Sequence, residues 1–357
     1  MRDERTRSRD SLPCAVLLGC AGEHLTAAER RFFAAANPLG FILMRRNCRA
    51  RDQLRMLVAE LRASVGRADA PVLVDQEGGR VARLQPPEWR PYPAAAQIAA
   101  LPDPFAAEAA RLDARLIADD LAEIGITVDC APVLDLPARD ADPVIGDRAF
   151  GDDPARVARL ALAFCKGLLK GGVLPVIKHI PGHGRARVDS HRTCPFVEAD
   201  RAVLAHKDFA PFRALSTMPW AMTAHIVFAA IDDAAPATFS RTVIDTIIRG
   251  EIGFAGVLVS DDIAMGALDG RLGERTRRAL DAGVDLVLHC NGVMAEMAEI
   301  VDAARPISLA AAERIARGEN LRRRAREDFD RGVAELRFAG LMAGATGPDP
   351  DRSQVRA

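Results

Sequence analysis

The sequence predicts an α/β protein whose main domain is a single (β/α)₈ TIM barrel with extra C-terminal helices. Its 357 residues contain eight short, almost continuously apolar runs that alternate with longer amphipathic stretches. Apolar runs of this length favour strands that are buried on both faces, and helical patterns between them imply that the strands are parallel. Eight such units in roughly 290 residues fit a closed barrel.

The order of the predicted elements follows this alternation from end to end. Strands are expected at 14–20, 40–45, 71–75, 128–134, 174–178, 221–226, 256–261 and 285–289. Helices are expected at 26–36, 51–65, 105–124, 154–171, 208–216, 241–250, 272–282 and 293–303, with further helices over 306–340. An open doubly wound sheet is the alternative, but no G-x-G-x-x-G follows any strand, which weakens its dinucleotide-binding form.

The barrel domain is predicted to span 12–340. Residues 1–11 are highly charged and are expected to form a flexible extension, while 341–357 have no apolar period and are expected to be disordered. Two connections, 79–104 and 179–207, are long for a compact domain. Long connections of this kind are usually functional or disordered.

The composition limits the classes of partner. The formal net charge is −1, from 48 Lys and Arg against 49 Asp and Glu, which argues against nucleic acid or acidic membrane as a partner. No apolar run approaches the roughly 18 residues of a membrane span. The seven cysteines are scattered and form no C-x-x-C pair, as expected for free thiols in a reducing compartment. LLGC at 17–20 imitates a lipoprotein cleavage site but is also needed as the first core strand. We therefore expect a cytoplasmic monomer.

Ionisable side chains collect where the predicted strands end. Barrel enzymes place their sites at the carboxyl ends of the strands, so these groups are expected to converge on one rim. They are Asp75, Glu77, Arg80, Arg83, Asp135, Asp147, Arg148, Lys178, His179, His183, Asp189, His191, His225, Asp261 and Asp262.

The segment 178–191 holds three of the seven histidines and allows two interpretations. Its histidines and Asp189 are competent zinc ligands, so a metal-dependent barrel hydrolase is one alternative. However, Pro181 and Gly182 separate His179 from His183, which prevents an i, i+4 pair on a helix, and the first strand lacks an H-x-H pair.

The other interpretation pairs Asp189 with His191. Residues two apart in an extended loop project to the same side, so the carboxylate could hold one imidazole nitrogen and let the ring transfer protons. A nucleophile or charge stabiliser would then come from Asp261 or Asp262. Alternation along a strand sends these two side chains to opposite faces, and spacing alone does not choose between them. The other one is expected to form a helix cap or an ion pair.

Four segments together resemble the bacterial β-N-acetylglucosaminidases of glycoside hydrolase family 3. They are DQEGGRVARL at 75–84, VIGDRAFG at 144–151, KHIPGHGRARVDSH at 178–191 and VSDDIAMGAL at 259–268. The resemblance covers about 14–335. It implies a cytoplasmic enzyme that removes N-acetylglucosamine from 1,6-anhydro-N-acetylmuramoyl peptides during peptidoglycan recycling, with retention of configuration and with neither metal nor cofactor.

The resemblance also implies residue roles. Asp261 matches the nucleophile that forms the glycosyl-enzyme, His191 the acid/base and Asp189 its partner. The positions that bind the sugar's hydroxyl groups are matched by Asp75, Arg83, Arg148, Lys178 and His179. Most retaining glycosidases use two carboxylates, so a histidine in the second role departs from the usual pattern. The alternatives are a broader β-hexosidase that acts on chitin-derived oligosaccharides, the metal-dependent hydrolase, and a sugar-binding protein without turnover.

Overall fold

A computed structural model describes residues 12–345, and within them eight parallel strands close into a barrel. Strands that follow one another along the chain are neighbours in the barrel, and the last strand pairs with the first. We label the barrel strands β1 Cys14–Leu18, β2 Pro38–Leu43, β3 Val72–Val74, β4 Val128–Asp129, β5 Leu174–Ile180, β6 Trp220–Thr223, β7 Val257–Asp262 and β8 Leu286–His289. The predicted fold class is confirmed, and the doubly wound alternative is wrong because the sheet closes.

Closure is visible in the pairing of β1, which has a barrel strand on each side. Leu18 lies in register with His289 of β8 and with Phe41 of β2. Val16, Leu17 and Leu18 are fully buried, because the side chains of a barrel strand face either the barrel interior or the surrounding helices. This double burial explains why the strands appear in the sequence as continuous apolar runs rather than as alternating ones.

Helices cover the outside of the barrel in the predicted order. The helices after β1 to β8 include Ala27–Ala36, Arg51–Ser64, Phe105–Ile124, Pro154–Lys170, Arg201–His206, Phe209–Ala214, Leu272–Ala282 and Met294–Ala303, and a π-helix spans Val243–Glu251. Two of the boundaries follow side-chain caps: the hydroxyl of Thr26 accepts from the amide of Glu29, and the carboxylate of Asp153 accepts from the amide of Arg156. Two further helices follow: Leu309–Ala325 packs on the helix Pro154–Lys170 and on β5 and β7, and Arg331–Ala345 packs on the helix Phe105–Ile124.

The fourth strand differs most from its prediction. An apolar run at 128–134 predicts seven strand residues, whereas only Val128 and Asp129 pair in the barrel. Pro132 has no N–H to donate to a neighbouring strand, and beyond it a single bridge joins Val133 to Lys178. The fifth strand is longer than predicted and reaches Ile180. His179 therefore belongs to the barrel wall rather than to the following loop.

The long connections contain short elements of their own. A hairpin of Gln76–Gly78 with Val81–Ala82 follows β3, and Ala95–Ala99 is helical. After β5, residues 181–195 form a connection that we call the β5 loop, before Phe196–Val197 pairs with Val227–Phe228. Residues 263–271 after β7 are called the β7 loop. Both loops leave the carboxyl ends of barrel strands.

The last helix crosses the C-terminal boundary predicted at residue 340. The last helix continues to Ala345, so the first part of the predicted tail 341–357 is helical. The remaining residues of that tail, from 346, and the predicted extension 1–11 lie outside the described residues. No helix within residues 12–345 is both long and apolar enough to span a lipid bilayer.

Candidate active site

A cavity of about 360 Å³ opens at the face of the barrel where the strands end. Its volume is within the range of about 300–1,000 Å³ that is typical of small-molecule sites. Charged residues and methionines from several strand ends line it: Met44, Arg46, Asp75, Arg80, Val81, Arg83, Val144, Ile145, Arg148, Lys178, His179, His183, Ser190, His191, Met222, Asp261, Asp262, Met265, Cys290 and Asn291. The expected convergence of polar groups on one rim is therefore present.

A cluster of five ionised side chains forms one wall of the cavity. The ammonium of Lys178 lies 2.9 Å from Asp75 Oδ1 and 2.6 Å from Glu77 Oε1. Arg83 donates to the other oxygen of Asp75 at 3.0 Å. Arg148 binds both oxygens of Glu77, at 2.9 and 2.8 Å. Because each side chain has an oppositely charged partner, these buried charges are held in fixed positions before any ligand binds.

The cluster sets the ionisation of its members. Burial acts to raise the pKa of the Asp75 carboxyl, but Lys178 and Arg83 outweigh burial and hold that pKa well below its usual range. The pKa of Glu77 is lowered in the same way by Lys178 and Arg148. Burial alone would lower the pKa of Lys178, whereas its two carboxylate partners raise it. With three cations against two carboxylates, the cluster keeps one excess positive charge beside the cavity.

Asp261 is the next-to-last residue of β7 and lines this cavity. Its Oδ2 lies 3.9 Å from His179 Nε2, and 21% of its side chain is exposed. Burial acts to raise the pKa of Asp261, but the charges of His179, His225 and Lys178, together with the amide of Asp262, lower it. The carboxylate is thus ionised, and one oxygen is free to approach a ligand while the other accepts the Asp262 amide at 2.8 Å.

Asp262 also lines the cavity, but its carboxylate is bound to backbone amides. Its Oδ1 accepts the amides of Ala264 at 3.1 Å and of Cys290 at 3.3 Å. It therefore fixes the turn after β7 to the end of β8, which is neither the helix cap nor the ion pair expected for the second acid. Burial raises the pKa of Asp262, in contrast to that of Asp261.

His179 is held by a buried carboxylate behind it. Its Nδ1 donates to Asp135 Oδ2 at 2.7 Å, which leaves Nε2 directed towards Asp261. Asp135 also accepts the backbone amides of His179 and His183. Burial acts to raise the pKa of Asp135, while His179 and the hydrogen bonds lower it. His179 is thus fixed at the floor of the cavity.

Asp189 and His191 pair as predicted, although the backbone between them is not extended. The amides of Arg192 and Thr193 donate to the carbonyl of Asp189, which makes a turn. Asp189 Oδ1 accepts both the amide of His191 at 2.9 Å and its Nδ1 at 2.7 Å. An aspartate that binds the amide two residues ahead is a common turn former. Because Nδ1 is occupied, Nε2 is the ring nitrogen that can exchange protons with a ligand in the cavity.

Seven of the eight predicted site residues line this one cavity. Asp189 does not line it but binds His191, which does. Five further residues of the site had a partial sequence indication, as ionisable groups at strand ends: Glu77, Arg80, Asp135, His183 and Asp262. Ser190, Arg46 and Asn291 carried no such indication. Arg46 enters the site because its guanidinium donates to the carbonyls of Cys20 and Cys290.

Within residues 12–345, no group of three or more His, Cys, Asp and Glu side chains is arranged to hold a metal ion. The histidines of the segment that suggested a zinc site are engaged by separate partners: His179 by Asp135, His183 by Ser190 and His191 by Asp189. Each of the three imidazoles therefore already has a hydrogen-bonding partner of its own.

Comparisons with known proteins identify the family of this chain. Residues 23–318 match the glycosyl hydrolase family 3 N-terminal domain. A β-hexosaminidase from Alkalilimnicola ehrlichii is 40% identical over 283 residues, 77% of this chain and 80% of that protein. The crystal structure of NagZ from Neisseria gonorrhoeae in complex with N-trifluoroacetyl-D-glucosamine is similar with a TM-score of 0.82 and 34% identity, over 93% of this chain and 99% of that chain.

NagZ from the same organism in complex with zinc ion is also similar, with a TM-score of 0.80 and 34% identity over 93% of this chain and 99% of that one. The family match covers most of the barrel, and the strand ends that it includes carry the cluster and Asp261. The chain therefore belongs to glycosyl hydrolase family 3 and is a glycoside hydrolase of the bacterial β-hexosaminidase type.

Proposed function

We propose that this protein is a retaining exo-β-N-acetylglucosaminidase in which Asp261 is the nucleophile and His191 the acid/base. The observation that carries the proposal is that an ionised carboxylate and a carboxylate-bound imidazole, from β7 and from the β5 loop, line the same small cavity. Attack by one group and proton transfer by the other are the two chemical requirements of a retaining glycosidase.

In the first step, Asp261 attacks the anomeric carbon while protonated His191 donates a proton to the departing oxygen. The carbon–oxygen bond to the leaving group breaks as the bond to the Asp261 carboxylate forms. The lowered pKa of Asp261 keeps the nucleophile ionised at neutral pH. Asp189 binds Nδ1 and fixes the ring, so that Nε2 can deliver the proton.

In the second step, neutral His191 takes a proton from water, which attacks the anomeric carbon and displaces Asp261. Two displacements at one carbon return the original configuration. The same imidazole thus gives a proton in the first step and receives one in the second. No additional carboxylate is needed for the second role.

The charged cluster would orient the sugar. Asp75 accepts from hydroxyl groups, and Lys178, Arg83 and Arg148 donate charge-assisted hydrogen bonds to them. His179, fixed by Asp135, offers Nε2 near Asp261. Since the cluster is already paired in the described structure, binding requires little rearrangement of these side chains.

We propose that the natural substrate is N-acetylglucosamine linked to 1,6-anhydro-N-acetylmuramic acid and its peptides, as released during peptidoglycan recycling. Arg46 and Arg80 line the cavity in addition to the charged cluster and could meet an acidic aglycone. The N-acetylglucosamine analogue bound by the similar Neisseria protein supports the sugar class.

All seven cysteines are free, which supports a cytoplasmic location, and we propose a monomer without nucleic-acid or membrane partners.

The test compares an aryl β-N-acetylglucosaminide with the corresponding β-glucoside, each with and without a metal chelator. We expect turnover of the first only, with no effect of the chelator and with retention seen by NMR of the first-formed product. Comparable rates on both substrates would indicate the broader β-hexosidase, and loss of activity with chelator would indicate the metal-dependent hydrolase. Binding of the sugar without turnover would indicate a sugar-binding protein.

Asp261→Ala should reduce kcat on the aryl glycoside by about 10⁴-fold or more, because the glycosyl-enzyme cannot form. Asp262→Ala is the matched control on the adjacent carboxylate. It should lose less activity than Asp261→Ala, since Asp262 binds backbone amides. A larger loss in the Asp262 variant would contradict the proposed assignment.

A further inference from the structure

The β5 loop is anchored on both sides of its proposed acid/base. His191 has 62% of its side chain exposed, whereas the preceding Ser190 is only 3% exposed. The hydroxyl of Ser190 lies 2.9 Å from Nε2 of His183, a residue that is also buried. Both residues line the cavity, but the Ser190 side chain is buried in its wall whereas that of His191 is exposed.

His183 is a rigid support for this contact. Its backbone amide donates to Asp135 Oδ1 at 2.6 Å, and Asp135 holds His179 beside Asp261. The following residue, Gly184, has Leu136 backbone atoms where a Cβ would lie, so this part of the loop is packed closely on the barrel. Ser190 is consequently tied to the same buried carboxylate that orients the floor of the cavity.

The second anchor comes from the β7 loop, just beyond the proposed nucleophile. The amide of Gly266 donates to the carbonyl of His191, and the amide of Ala267 donates to the carbonyl of Ser190, each at 3.1 Å. A Cβ at Gly266 would lie 2.8 Å from the His191 carbonyl oxygen and 2.9 Å from that of Arg192. Only glycine lets the two loops approach this closely, because real Cβ atoms do not make such contacts.

We propose that Ser190 and Gly266 are positioning residues that seat the acid/base loop on the nucleophile's own loop. They set the distance between His191 and Asp261 without reacting themselves. The inference rests on the proposed function. It adds that direct contact between the two loops fixes the positions of the two reacting groups relative to each other. A proton donor displaced by about 1 Å loses much of its rate advantage.

The effect should depend on the leaving group. An unactivated alkyl aglycone needs a proton as the bond breaks, whereas a dinitrophenyl group leaves as a stable anion. A misplaced His191 should therefore slow the first substrate and spare the second. A merely structural or ligand-binding defect would slow both alike. The parameter to measure is kcat/KM, because it excludes the later step in which His191 acts as base.

The experiment measures kcat/KM of Ser190→Ala and Gly266→Ala on alkyl and dinitrophenyl β-N-acetylglucosaminides. Each variant should lose about 10- to 100-fold on the alkyl substrate and less than about threefold on the dinitrophenyl one, part of the 10²- to 10⁴-fold that general acid catalysis supplies. The two variants act from opposite loops, and Gly266 does not line the cavity. Gly340→Ala, at a distant glycine with open space around it, is the control and should change neither rate.

His191→Ala, measured in parallel, separates the positioning role of Ser190 and Gly266 from the acid/base role of His191. If it shows the same leaving-group dependence while Ser190→Ala and Gly266→Ala lower both rates equally or neither rate, the positioning role is overturned and the acid/base assignment stands. If His191→Ala itself slows both substrates equally, the proposed acid/base role fails. The expected result is one leaving-group dependence shared by all three variants, largest for His191→Ala.

Discussion

Lys178 shows how much of this site is decided by single buried charges. Only 2% of its side chain is exposed, and its ammonium contacts two carboxylates that come from the segment after β3. A lysine in such a place must either lose its proton or be paired, since burying an isolated charge is costly. The structure pairs it, so the cluster is both an energetic requirement of the fold and a ready surface for sugar hydroxyl groups.

Removing one carboxylate of this cluster should show how much the stability of the fold depends on these buried ion pairs. Glu77→Ala leaves Arg148 without its bidentate partner and Lys178 with one carboxylate instead of two. We expect a loss of about 3–5 kcal/mol in the free energy of unfolding, as for other broken buried ion pairs. Urea unfolding at neutral pH is the measurement.

The matched control is Asp147→Ala. Asp147 pairs with Arg80, but both side chains are about half exposed. Exposed pairs contribute about 0–1 kcal/mol, so this variant should unfold almost like the wild type. Equal losses of unfolding free energy in the two variants would show that the buried cluster stabilises the protein no more than the exposed pair does.

Protonation of His183 should make the free energy of unfolding depend on pH between about 6.5 and 4. Burial, with the charges of His179 and Arg148, lowers its pKa from 6.5 to about 4, against the opposing effect of Asp135 and Asp261. The unfolded chain therefore binds a proton between pH 6.5 and 4 that the folded protein does not. Stability should be fully present above pH 6.5 and should fall towards pH 4, by about 3 kcal/mol from this group.

His183→Gln should flatten that part of the profile, measured by urea unfolding at intervals from pH 7.5 to 4. The exposed His24, changed to Gln, is the control and should leave the profile as in the wild type. A His183→Gln profile that falls as steeply as the wild type would contradict the prediction.

At the scale of elements, the sequence indicates where strands and helices lie but not how a connection is folded. Asp189 and His191 are predicted to meet along an extended loop, whereas they meet across a turn that Asp189 itself stabilises. The pairing could still be predicted from the residue types, because a short acidic side chain reaches an imidazole two residues away in either backbone geometry. The carbonyls of Ser190 and His191 accept the amides of Ala267 and Gly266, which belong to the loop after β7 and are distant in the sequence.

Helix packing on the outside of the barrel makes a second prediction. Gly167, in the helix Pro154–Lys170, faces the backbone of the helix Phe105–Ile124: a Cβ there would lie 2.3 Å from the carbonyl oxygen of Arg111 and 2.8 Å from Ala114 Cβ. Gly167→Ala should thus destabilise the protein by about 1–3 kcal/mol, as expected for overpacking, despite the better helix propensity of alanine. Thermal unfolding at fixed pH measures it.

Gly340→Ala is the control for helix propensity alone. Gly340 lies in the helix Arg331–Ala345 with no atom within 4 Å of the place that an alanine methyl group would take, so alanine should stabilise by about 0.5–1 kcal/mol. The opposite signs of the two substitutions are the expected result. A stabilising Gly167→Ala would show that the two helices can move apart at little cost.

For the whole molecule, the concentration of carboxylates at one end of the barrel implies sensitivity to acid. Asp75, Glu77, Asp135 and Asp261 all have lowered pKa values in the folded protein. Below about pH 5 these four groups bind more protons in the unfolded chain than in the folded one, so they stabilise the protein above that pH and lose their effect as the pH falls. The raised pKa values of the buried Asp113 and Asp129 act in the opposite direction.

The contribution of Asp75 to the free energy of unfolding should accordingly drop between pH 5 and 3. Asp75→Asn, which cannot titrate at that position, should therefore become less stable by a smaller amount than the wild type over that interval. A variant profile that falls as much as the wild-type profile would contradict the direction of the Asp75 pKa shift.

The sequence by itself determined the barrel, the order of its elements and the places where reactive side chains lie. Continuous apolar runs indicate strands that are buried on both faces, and the residues at strand ends are those that lie on the rim of the barrel. Both patterns can be recognised because they involve residues close together along the chain. Tertiary structure decided how Asp261 and Asp262 differ, with one ionised at the cavity and the other holding backbone amides. It also decided the partners, since Asp75 and Lys178 meet across 103 residues, and such contacts depend on closure of the barrel rather than on any local pattern.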